Sequence, residues 1–194
     1  MNHVEPLDTH HKRLAFTSGN EVLDRYLHEI AYQAKRKSLA AIFVAVGEDD
    51  PATILGYYTL STYTIEGLDI PAVLRTTRKL PSHRVGATLL GRLAVAMHVR
   101  HKGIGELLLI DALKQAHEAS RTVASTCVVV DAIDEAIILY YERFGFVRVA
   151  PDSRRLVLMM ETIAQLFSHG VHTTAATSHE RRDRLRGKPR AASW

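Results

Sequence analysis

The chain has 194 residues, 46% hydrophobic and 24% charged, which suffices for one domain with its own core. No stretch approaches the roughly 20 apolar residues that cross a bilayer, and the N-terminus lacks the basic-then-apolar pattern of a secretory signal. The single cysteine, Cys127, excludes an internal disulfide and a thiolate metal cluster, and its apolar surroundings indicate a core residue. We therefore expect a cytoplasmic protein without a membrane segment.

The formal net charge of +4 is concentrated near the C-terminus. Residues 180–190 contain six basic and two acidic residues, which accounts for the whole excess, and the rest of the chain has 19 of each sign. After Phe167 the composition turns to Thr, Ala, His and Arg without apolar periodicity. The sequence therefore predicts a domain at residues 1–167 and a basic tail at 168–194 that is disordered or ordered only by a partner.

Apolar spacing and turn residues divide the predicted domain into helices and strands around one sheet. Asn20 and Asp134 stand where helix N-caps are expected. The nearly continuous apolar run at 123–130 is typical of a strand buried on both faces. The predicted elements, in chain order, are a helix at 21–37, strands at 41–46 and 53–65 that form a hairpin, an irregular basic segment at 71–83, a strand at 88–99, a helix at 105–120, a strand at 123–130, a helix at 134–144, strands at 146–149 and 155–160, and a short helix ending near 167.

The segment Arg100-His101-Lys102-Gly103-Ile104-Gly105 follows a predicted strand and opens a predicted helix. Its glycines let the backbone approach a bulky anion, and the helix N-terminus adds roughly half a positive charge. The pattern predicts a pyrophosphate site, and a tight turn that merely needs glycine is the alternative. A P-loop is disfavoured because Glu106 and Leu107 follow Gly105, and a dinucleotide fingerprint is disfavoured because a third glycine is missing.

This segment resembles the GNAT superfamily of acetyltransferases, in which an Arg/Gln-x-x-Gly-x-Gly/Ala loop binds the CoA pyrophosphate after a splayed strand. The run Tyr140-Tyr141-Glu142-Arg143-Phe144-Gly145-Phe146 is similar to the aromatic-Tyr-x-x-x-Gly-Phe signature of the same superfamily. The resemblance implies an α/β (α+β) fold with a central mixed, mostly antiparallel twisted sheet flanked by helices. It also implies acetyl-CoA as co-substrate, bound by Leu93, Ala94, Val95, Arg100, His101, Lys102, Gly103, Ile104 and Gly105.

A narrower likeness covers approximately residues 4–167. The segments Gly56-Tyr57-Tyr58-Thr59-Leu60-Ser61 and Leu89-Leu90-Gly91-Arg92-Leu93-Ala94-Val95 are similar to the acetyltransferase toxins of type II toxin–antitoxin systems. That likeness implies acetylation of the α-amine of aminoacyl-tRNA, inhibition of translation, a homodimer and a ribbon-helix-helix antitoxin as partner. The chain departs from those toxins at His83-Arg84-Val85-Gly86, where a proline-rich segment is usual, and at Ser18, where cysteine is common.

Acetyl transfer from a thioester to an amine needs a proton for the departing thiolate. Tyr141 suits this role because a phenol with a pKa of about 10 stays protonated at neutral pH, and the resemblance assigns Tyr141 the same role. The alternative is core packing, since Ile137, Tyr140, Tyr141 and Phe144 have the spacing of a core-facing helical stripe. No carboxylate stands out as general base.

The chain outside residues 180–190 is formally neutral, so binding of tRNA requires a basic patch on the surface of the domain. Arg92 interrupts an apolar run, so it faces either a phosphate or an internal carboxylate such as Asp131. The cations near Lys35 are equally consistent with a solvated helix C-terminus. No metal is expected, because none of the histidines comes with a carboxylate at ligand spacing. The candidate tRNA-binding residues are Lys35, Arg36, Arg75, Arg78 and Arg92.

Two other functions remain open at this stage. A GNAT enzyme that acetylates a small amine or a protein N-terminus needs no extended basic surface. A non-catalytic module could bind CoA or RNA with the same fold and the basic tail. The sequence does not indicate which amino acid on the tRNA is selected.

Overall fold

The computed structural model describes residues 1–168, so the predicted tail at 168–194 lies outside the described residues except for Ser168. The fold is one seven-stranded sheet with the strand order β1-β2-β3-β4-β5-β7-β6. All neighbouring strands run antiparallel except β4 and β5, which are parallel. This confirms the expected mixed, mostly antiparallel sheet. The strands are β1 (Asn2–Pro6), β2 (Ala41–Gly47), β3 (Gly56–Ile65), β4 (Val85–Val95), β5 (Cys127–Asp131), β6 (Val147–Arg148) and β7 (Arg155–Met159).

Helices flank the sheet, and the two predicted caps are confirmed. The Oδ1 atom of Asn20 accepts hydrogen bonds from the amides of Val22 and Leu23 at 3.1 and 3.3 Å. The Oδ1 atom of Asp134 accepts from the amide of Ile137 at 2.9 Å. Among the described residues no helix is long and apolar enough to cross a membrane. The helices are α1 (Glu21–Arg25), a π-helical turn (Tyr26–Ile30) that joins it to α2 (Ala31–Arg36), α3 (Ala72–Thr77), α4 (Ile104–Ser120), α5 (Glu135–Glu142) and a helical stretch at 160–168.

The core lies on both faces of the sheet because different helices cover them. On one face α4 contributes residues at helical spacing, among them Leu108, Leu109 and Ala112, which are at most 1% exposed. On the other face Leu27 and Ala31 are fully buried against β2 and β3. Cys127 is also fully buried, as expected, and burial raises the pKa of its thiol to about 12.

Four predicted features were wrong in detail. Strand β1 was not predicted, because its polar sequence has no apolar alternation and it pairs only along one edge with β2. The segment predicted to be irregular contains α3. Strand β4 begins earlier and ends earlier than predicted, and a 3-10 turn follows it at Met97–Val99. The apolar run before β5 starts outside the ladder, since β5 begins only at Cys127.

Candidate active site

A cavity opens where β4 and β5 separate. The two strands pair only at Thr88↔Val128 and Leu89↔Val129, although β4 continues to Val95. Beyond Leu89, β4 pairs only with β3 among the described strands, so main-chain groups along its other edge have no strand partner. A cavity of about 790 Å³ fills the gap, which is within the usual range for sites that hold small molecules and cofactors.

A β-bulge in β4 marks the point of separation. Leu60 of β3 lies opposite Leu90, but Thr59 lies opposite Arg92, so Gly91 is an extra residue without a partner in β3. A bulge bends its strand and increases the local twist. The bulge thus divides β4 into a half that is paired on both sides and a half that borders the cavity.

The turn between β4 and α4 presents an anion site at one end of the cavity. His101 and Gly103 have left-handed backbones, with φ of 61° and 81°, and both border the cavity. Gly103 is the N-cap of α4, and no side chain caps this end. The first amides of α4 are therefore available to an anion, which the helix dipole also favours. A Cβ on Gly103 would meet no atom within 4 Å, so the backbone conformation, and not lack of space, favours glycine here.

A loop at residues 17–20 forms the neighbouring wall, and Arg100 ties it to the anion site. The Nη2 atom of Arg100 donates to the carbonyl of Ser18. The amide and hydroxyl of Ser18 donate to Asp24 Oδ1 at 2.8 and 2.5 Å, and Thr17 donates to Oδ2 at 3.2 Å. Burial alone would raise the pKa of Asp24, but these hydrogen bonds lower it overall. The ionised carboxylate thus holds the loop in place.

Helix α5 and the residues before it supply the opposite wall. Ile137, Tyr140 and Phe144 border the cavity, together with Ile133 and Arg143. The helical spacing of these residues was interpreted as compatible with a core-facing stripe. The stripe does face inward, but much of what it faces is the cavity left by the separation of β4 and β5.

Tyr140 and Tyr141 occupy different environments. Tyr140 borders the cavity, and its hydroxyl is buried without a hydrogen-bond partner among residues 1–168. A Cβ on Gly105 would lie 3.5 Å from that hydroxyl, which places it beside the first turn of α4. Burial and the charge of Glu106 raise the pKa of Tyr140 to about 12.

Tyr141 lies deeper and is not among the residues that border the cavity. Its side chain is 7% exposed, and its ring packs 5.5 Å from that of Tyr140 and 5.2 Å from that of Phe146, measured between centroids. Burial raises the pKa of Tyr141, and its hydroxyl makes no hydrogen bond within the described part of the chain. Both phenols therefore stay protonated at neutral pH and can donate a proton or a hydrogen bond.

The fold brings together most residues predicted to bind the co-substrate. Lys102 is exposed and does not border the cavity, and the Ile104 side chain is 2% exposed and packs in the core. At these two positions only the main chain, and not the side chain, could contact a molecule in the cavity. The predicted residues that border the cavity are Leu93, Ala94, Val95, Arg100, His101, Gly103 and Gly105.

Arg92 is the most distinctive of the predicted tRNA-binding residues. Its guanidinium carbon lies 3.7 Å from the ring centroid of Tyr26, a cation–π contact. The alternative of an ion pair with Asp131 is wrong, because Asp131 pairs with Arg155 at 2.7 and 2.8 Å. Within residues 1–168, Arg92 has no carboxylate partner.

The other basic candidates differ in availability. The ammonium of Lys35 donates to the carbonyl of Leu7, and Arg78 pairs with Glu161. Arg36 is exposed and Arg75 is half-buried. None of these residues borders the cavity. Two of these four cations, Lys35 and Arg78, are thus already held by other groups of the domain, which limits the basic surface that these residues offer to tRNA.

Sequence reasoning missed several residues at the site. Ser18, Gly19 and Asn20 border the cavity, as do Glu106 and Arg143. Asn20 was predicted only as a helix cap. The contact between Ser18 and Arg100 joins positions 82 residues apart, and no local pattern predicts it.

Comparison with known proteins agrees with this geometry. The family described as acetyltransferase (GNAT) domain matches residues 39–148. A tRNA-acetylating toxin from Mycobacterium tuberculosis (strain ATCC 25618 / H37Rv) is 28% identical over 147 residues, covering 76% of this chain and 85% of the relative. A probable toxin TacT from Sinorhizobium fredii (strain NBRC 101917 / NGR234) is 26% identical over 172 residues, covering 84% and 93%.

Solved structures of the toxin-related protein KacT are also similar. A tyrosine-to-phenylalanine mutant of KacT has a TM-score of 0.79 at 27% identity, covering 85% of this chain and 98% of KacT. The KacTA–DNA complex has a TM-score of 0.73 at 26% identity, covering 87% and 99%. These findings confirm both the resemblance that the two sequence motifs indicated and the expected fold.

Proposed function

The chain belongs to the GNAT family of acetyltransferases, and we propose that it transfers an acetyl group from acetyl-CoA to the α-amine of aminoacyl-tRNA and thereby blocks translation in the cytoplasm. One observation carries the proposal: the cavity between β4 and α5 ends at an uncapped helix N-terminus. The tRNA-acetylating relative, at 28% identity, supports the choice of acceptor.

The residues around the cavity fit acetyl-CoA. The uncapped amides at the start of α4 would bind the pyrophosphate, and Gly103 supplies the left-handed backbone that the preceding turn needs. The unpaired edge of β4 at Leu93 to Val95 would hydrogen-bond the pantetheine arm. The apolar side chains of Ile137 and Phe144 would exclude water from it. When bound, acetyl-CoA supplies the activated acetyl thioester.

The protein itself would supply two groups to the reaction: a proton donor and a main-chain N–H that donates a hydrogen bond. Tyr141 would give its phenolic proton to the sulfur as the thioester bond breaks, since burial keeps it protonated and its hydroxyl makes no hydrogen bond within residues 1–168. A main-chain N–H near Ala94 or Val95 would donate to the carbonyl oxygen as charge develops on it. The α-amine of an aminoacyl ester is less basic than an alkylamine, so a neutral fraction can attack the thioester at neutral pH, and the proton that the amine releases would pass to water and thence back to the phenolate.

Arg92 would bind a phosphate at the 3′ end of the tRNA. It stands on β4 close to the half that borders the cavity, stacks on Tyr26 and lacks a carboxylate partner in the described residues. Lys35, Arg36, Arg75 and Arg78 would add contacts farther away, with Arg78 first released from Glu161. A guanidinium without an internal carboxylate partner is the strongest local sign of an anionic substrate.

The deciding experiment uses purified protein, labelled acetyl-CoA and a mixture of charged tRNAs. We expect label on the amino group of at least one aminoacyl-tRNA and none on uncharged tRNA. Label on polyamines or peptides, with none on any aminoacyl-tRNA, would identify a different GNAT acceptor. Binding of CoA without transfer to any of them would identify a non-catalytic module.

A second experiment tests the consequence in cells. Expression of the chain is expected to arrest growth, and Tyr141→Phe is expected to relieve the arrest at equal protein levels. Growth arrest that persists with Tyr141→Phe would separate toxicity from acetyl transfer.

We also propose that the protein is a homodimer bound by a ribbon-helix-helix antitoxin. Support comes from the likeness to KacT, which has been solved as the KacTA–DNA complex, and from the toxin names of the relatives. Light scattering of the purified chain and co-purification with a protein encoded beside it would test the two partnerships separately.

A further inference from the structure

A carboxylate surrounded by three imidazoles lies at the edge strand β1, outside the acetyl-transfer cavity. Glu5 Oε1 is 2.9 Å from His11 Nε2 and 3.4 Å from His10 Nε2. Its other oxygen, Oε2, is 3.1 Å from His3 Nε2. One donor atom each from Glu5, His10 and His11 lies within 4.8 Å of the other two.

We propose that Glu5, His10 and His11 bind a zinc ion, with the fourth position left to water. Two imidazole nitrogens and one carboxylate oxygen are a common zinc ligand set. In a tetrahedral site with bonds of about 2.0–2.1 Å, neighbouring ligand atoms lie roughly 3.3 Å apart. The observed separations of 2.9 and 3.4 Å fall on either side of that value, so small rotations of the partly exposed Glu5 and His10 side chains would admit the ion beside the buried His11.

The backbone explains why the three side chains converge. His3 and Glu5 are two residues apart in β1 and therefore point to the same side of the strand. The turn after Leu7 brings His10 and His11 back over that side, with their ring centroids 3.9 Å apart. No metal is expected from the sequence alone, because no carboxylate stands at ligand spacing from these histidines along the chain. In the folded chain, strand β1 and the turn bring the carboxylate of Glu5, five residues before His10, next to these histidines.

Ligation of zinc through Nε2 of His11 requires a change of tautomer, for which the Asp8 carbonyl offers an acceptor. The side chain of His11 is fully buried, and its Nδ1 atom lies 2.8 Å from the amide nitrogen and 3.2 Å from the carbonyl oxygen of Asp8. Without a metal, Nδ1 can accept from the amide while Nε2–H donates to Glu5. With zinc on Nε2, the proton moves to Nδ1 and is donated to the Asp8 carbonyl, which requires a small shift of the turn because Nδ1 no longer accepts from the Asp8 amide. Such a backbone acceptor is the usual partner of a zinc-bound histidine.

Charge and access also suit a cation. Glu5 supplies a carboxylate oxygen to the cluster, and carboxylate oxygens are usual zinc ligands. The nearby cation Lys12 is paired with Asp50. His10 is about half exposed, at 53% of its side chain, which leaves an entry path from solvent. His3 would remain on Glu5 Oε2 and orient the carboxylate.

The expected role is structural. None of the three ligands borders the cavity, but the turn they stabilise is followed by a 3-10 turn at Arg13–Ala15 and then by the loop that carries Ser18. A bound ion would join β1 to this turn and raise the stability of the folded chain, because the ligands converge only after folding.

The test titrates zinc into the metal-free full-length protein by calorimetry and follows the melting temperature. We expect one ion per chain and a higher melting temperature, with cobalt giving the visible absorption of a tetrahedral site. Glu5→Gln and His10→Ala should each weaken zinc binding by at least tenfold. His83→Ala, which removes an exposed histidine elsewhere, and the triple variant His169→Ala, His172→Ala and His179→Ala, which removes those in the tail, should leave it unchanged.

Two outcomes would overturn the proposal. One is zinc binding that Glu5→Gln and His10→Ala leave intact. The other is a stoichiometric site that disappears in the triple tail variant. Melting of each variant without metal shows whether it folds, and His10 is exposed enough that His10→Ala should do so.

Discussion

The two halves of strand β4 have similar apolar sequences but different tasks. The first half pairs with β3 on one side and with β5 at Thr88 and Leu89 on the other, and residues such as Ala87 belong to the core. The second half, at Leu93 to Val95, keeps only β3 and borders the cavity. The two halves differ in what lies beside them. The first half pairs with strand β5, whereas the cavity separates the second half from α5.

The largest effect is expected at the open half from Tyr141→Phe. If Tyr141 donates the proton to the departing sulfur, kcat should fall by about 100- to 10,000-fold, while the affinity for acetyl-CoA stays nearly constant. Steady-state kinetics with aminoacyl-tRNA and calorimetry with CoA measure the two quantities. Tyr140→Phe is the matched control, because Tyr140 borders the cavity and the loss of its hydroxyl should affect mainly the KM for acetyl-CoA. If kcat fell more in Tyr140→Phe than in Tyr141→Phe, Tyr140 would be the proton donor in place of Tyr141.

The closed half should respond through stability. A Cβ on Gly86 would lie 2.8 Å from the carbonyl oxygen of Ala124, a backbone atom that cannot easily move. We therefore expect Gly86→Ala to lower the free energy of unfolding by about 1–3 kcal/mol, measured by urea denaturation, with unchanged affinity for acetyl-CoA in the folded fraction.

Gly103→Ala tests the contrasting effect at the open half. There is space for its Cβ, but the positive φ would cost about 1–2 kcal/mol, and relaxation of the turn should weaken acetyl-CoA binding. Gly103→Asn should recover much of the stability, since asparagine tolerates this backbone conformation. If Gly86→Ala and Gly103→Ala had equal affinities for acetyl-CoA, the proposal that only the open half contributes to binding would be wrong.

Arg92→Gln should reveal whether the substrate phosphate meets β4 near its bulge. Loss of one charge-assisted contact should raise the KM for aminoacyl-tRNA about tenfold and reduce the salt dependence of binding by about one phosphate equivalent. The KM for acetyl-CoA should not change. Arg84→Gln is the control, because it removes the same charge from a guanidinium that is paired with Glu66. Equal effects of the two variants would indicate general electrostatics in place of a phosphate contact.

Local patterns predicted what depends on neighbouring residues. The glycine at 103, the start of α4 and the Asn20 cap all follow from short-range backbone requirements. The pairing of Arg100 with Ser18 depends on two distant segments meeting, and it left no signal in either. Spacing also could not assign Tyr140 and Tyr141, because adjacent helical residues are about 100° apart and both can face inward.

The smallest predicted effect concerns the loop that Asp24 holds against the open half. Its pKa is lowered from the ordinary value of 3.8 in the folded protein, so its stabilising contribution is present above pH 3.8 and is lost as the pH falls through the lower, folded value. Asp24→Asn should therefore reduce the melting temperature at neutral pH, by the equivalent of about 1 kcal/mol, and the difference from the parent should shrink at pH values well below 3.8.

Asp50→Asn provides the comparison for Asp24→Asn. The Asp50 carboxylate also has a lowered pKa and accepts from Thr53 at 2.7 Å, but it stabilises a turn that does not border the cavity. Both variants should lose stability with the same sign of pH dependence, whereas only Asp24→Asn should raise the KM for acetyl-CoA, because it alone releases Ser18 and with it Arg100. An equal rise in KM for Asp50→Asn would mean that general loss of stability, and not the position of the loop, controls binding at the open half.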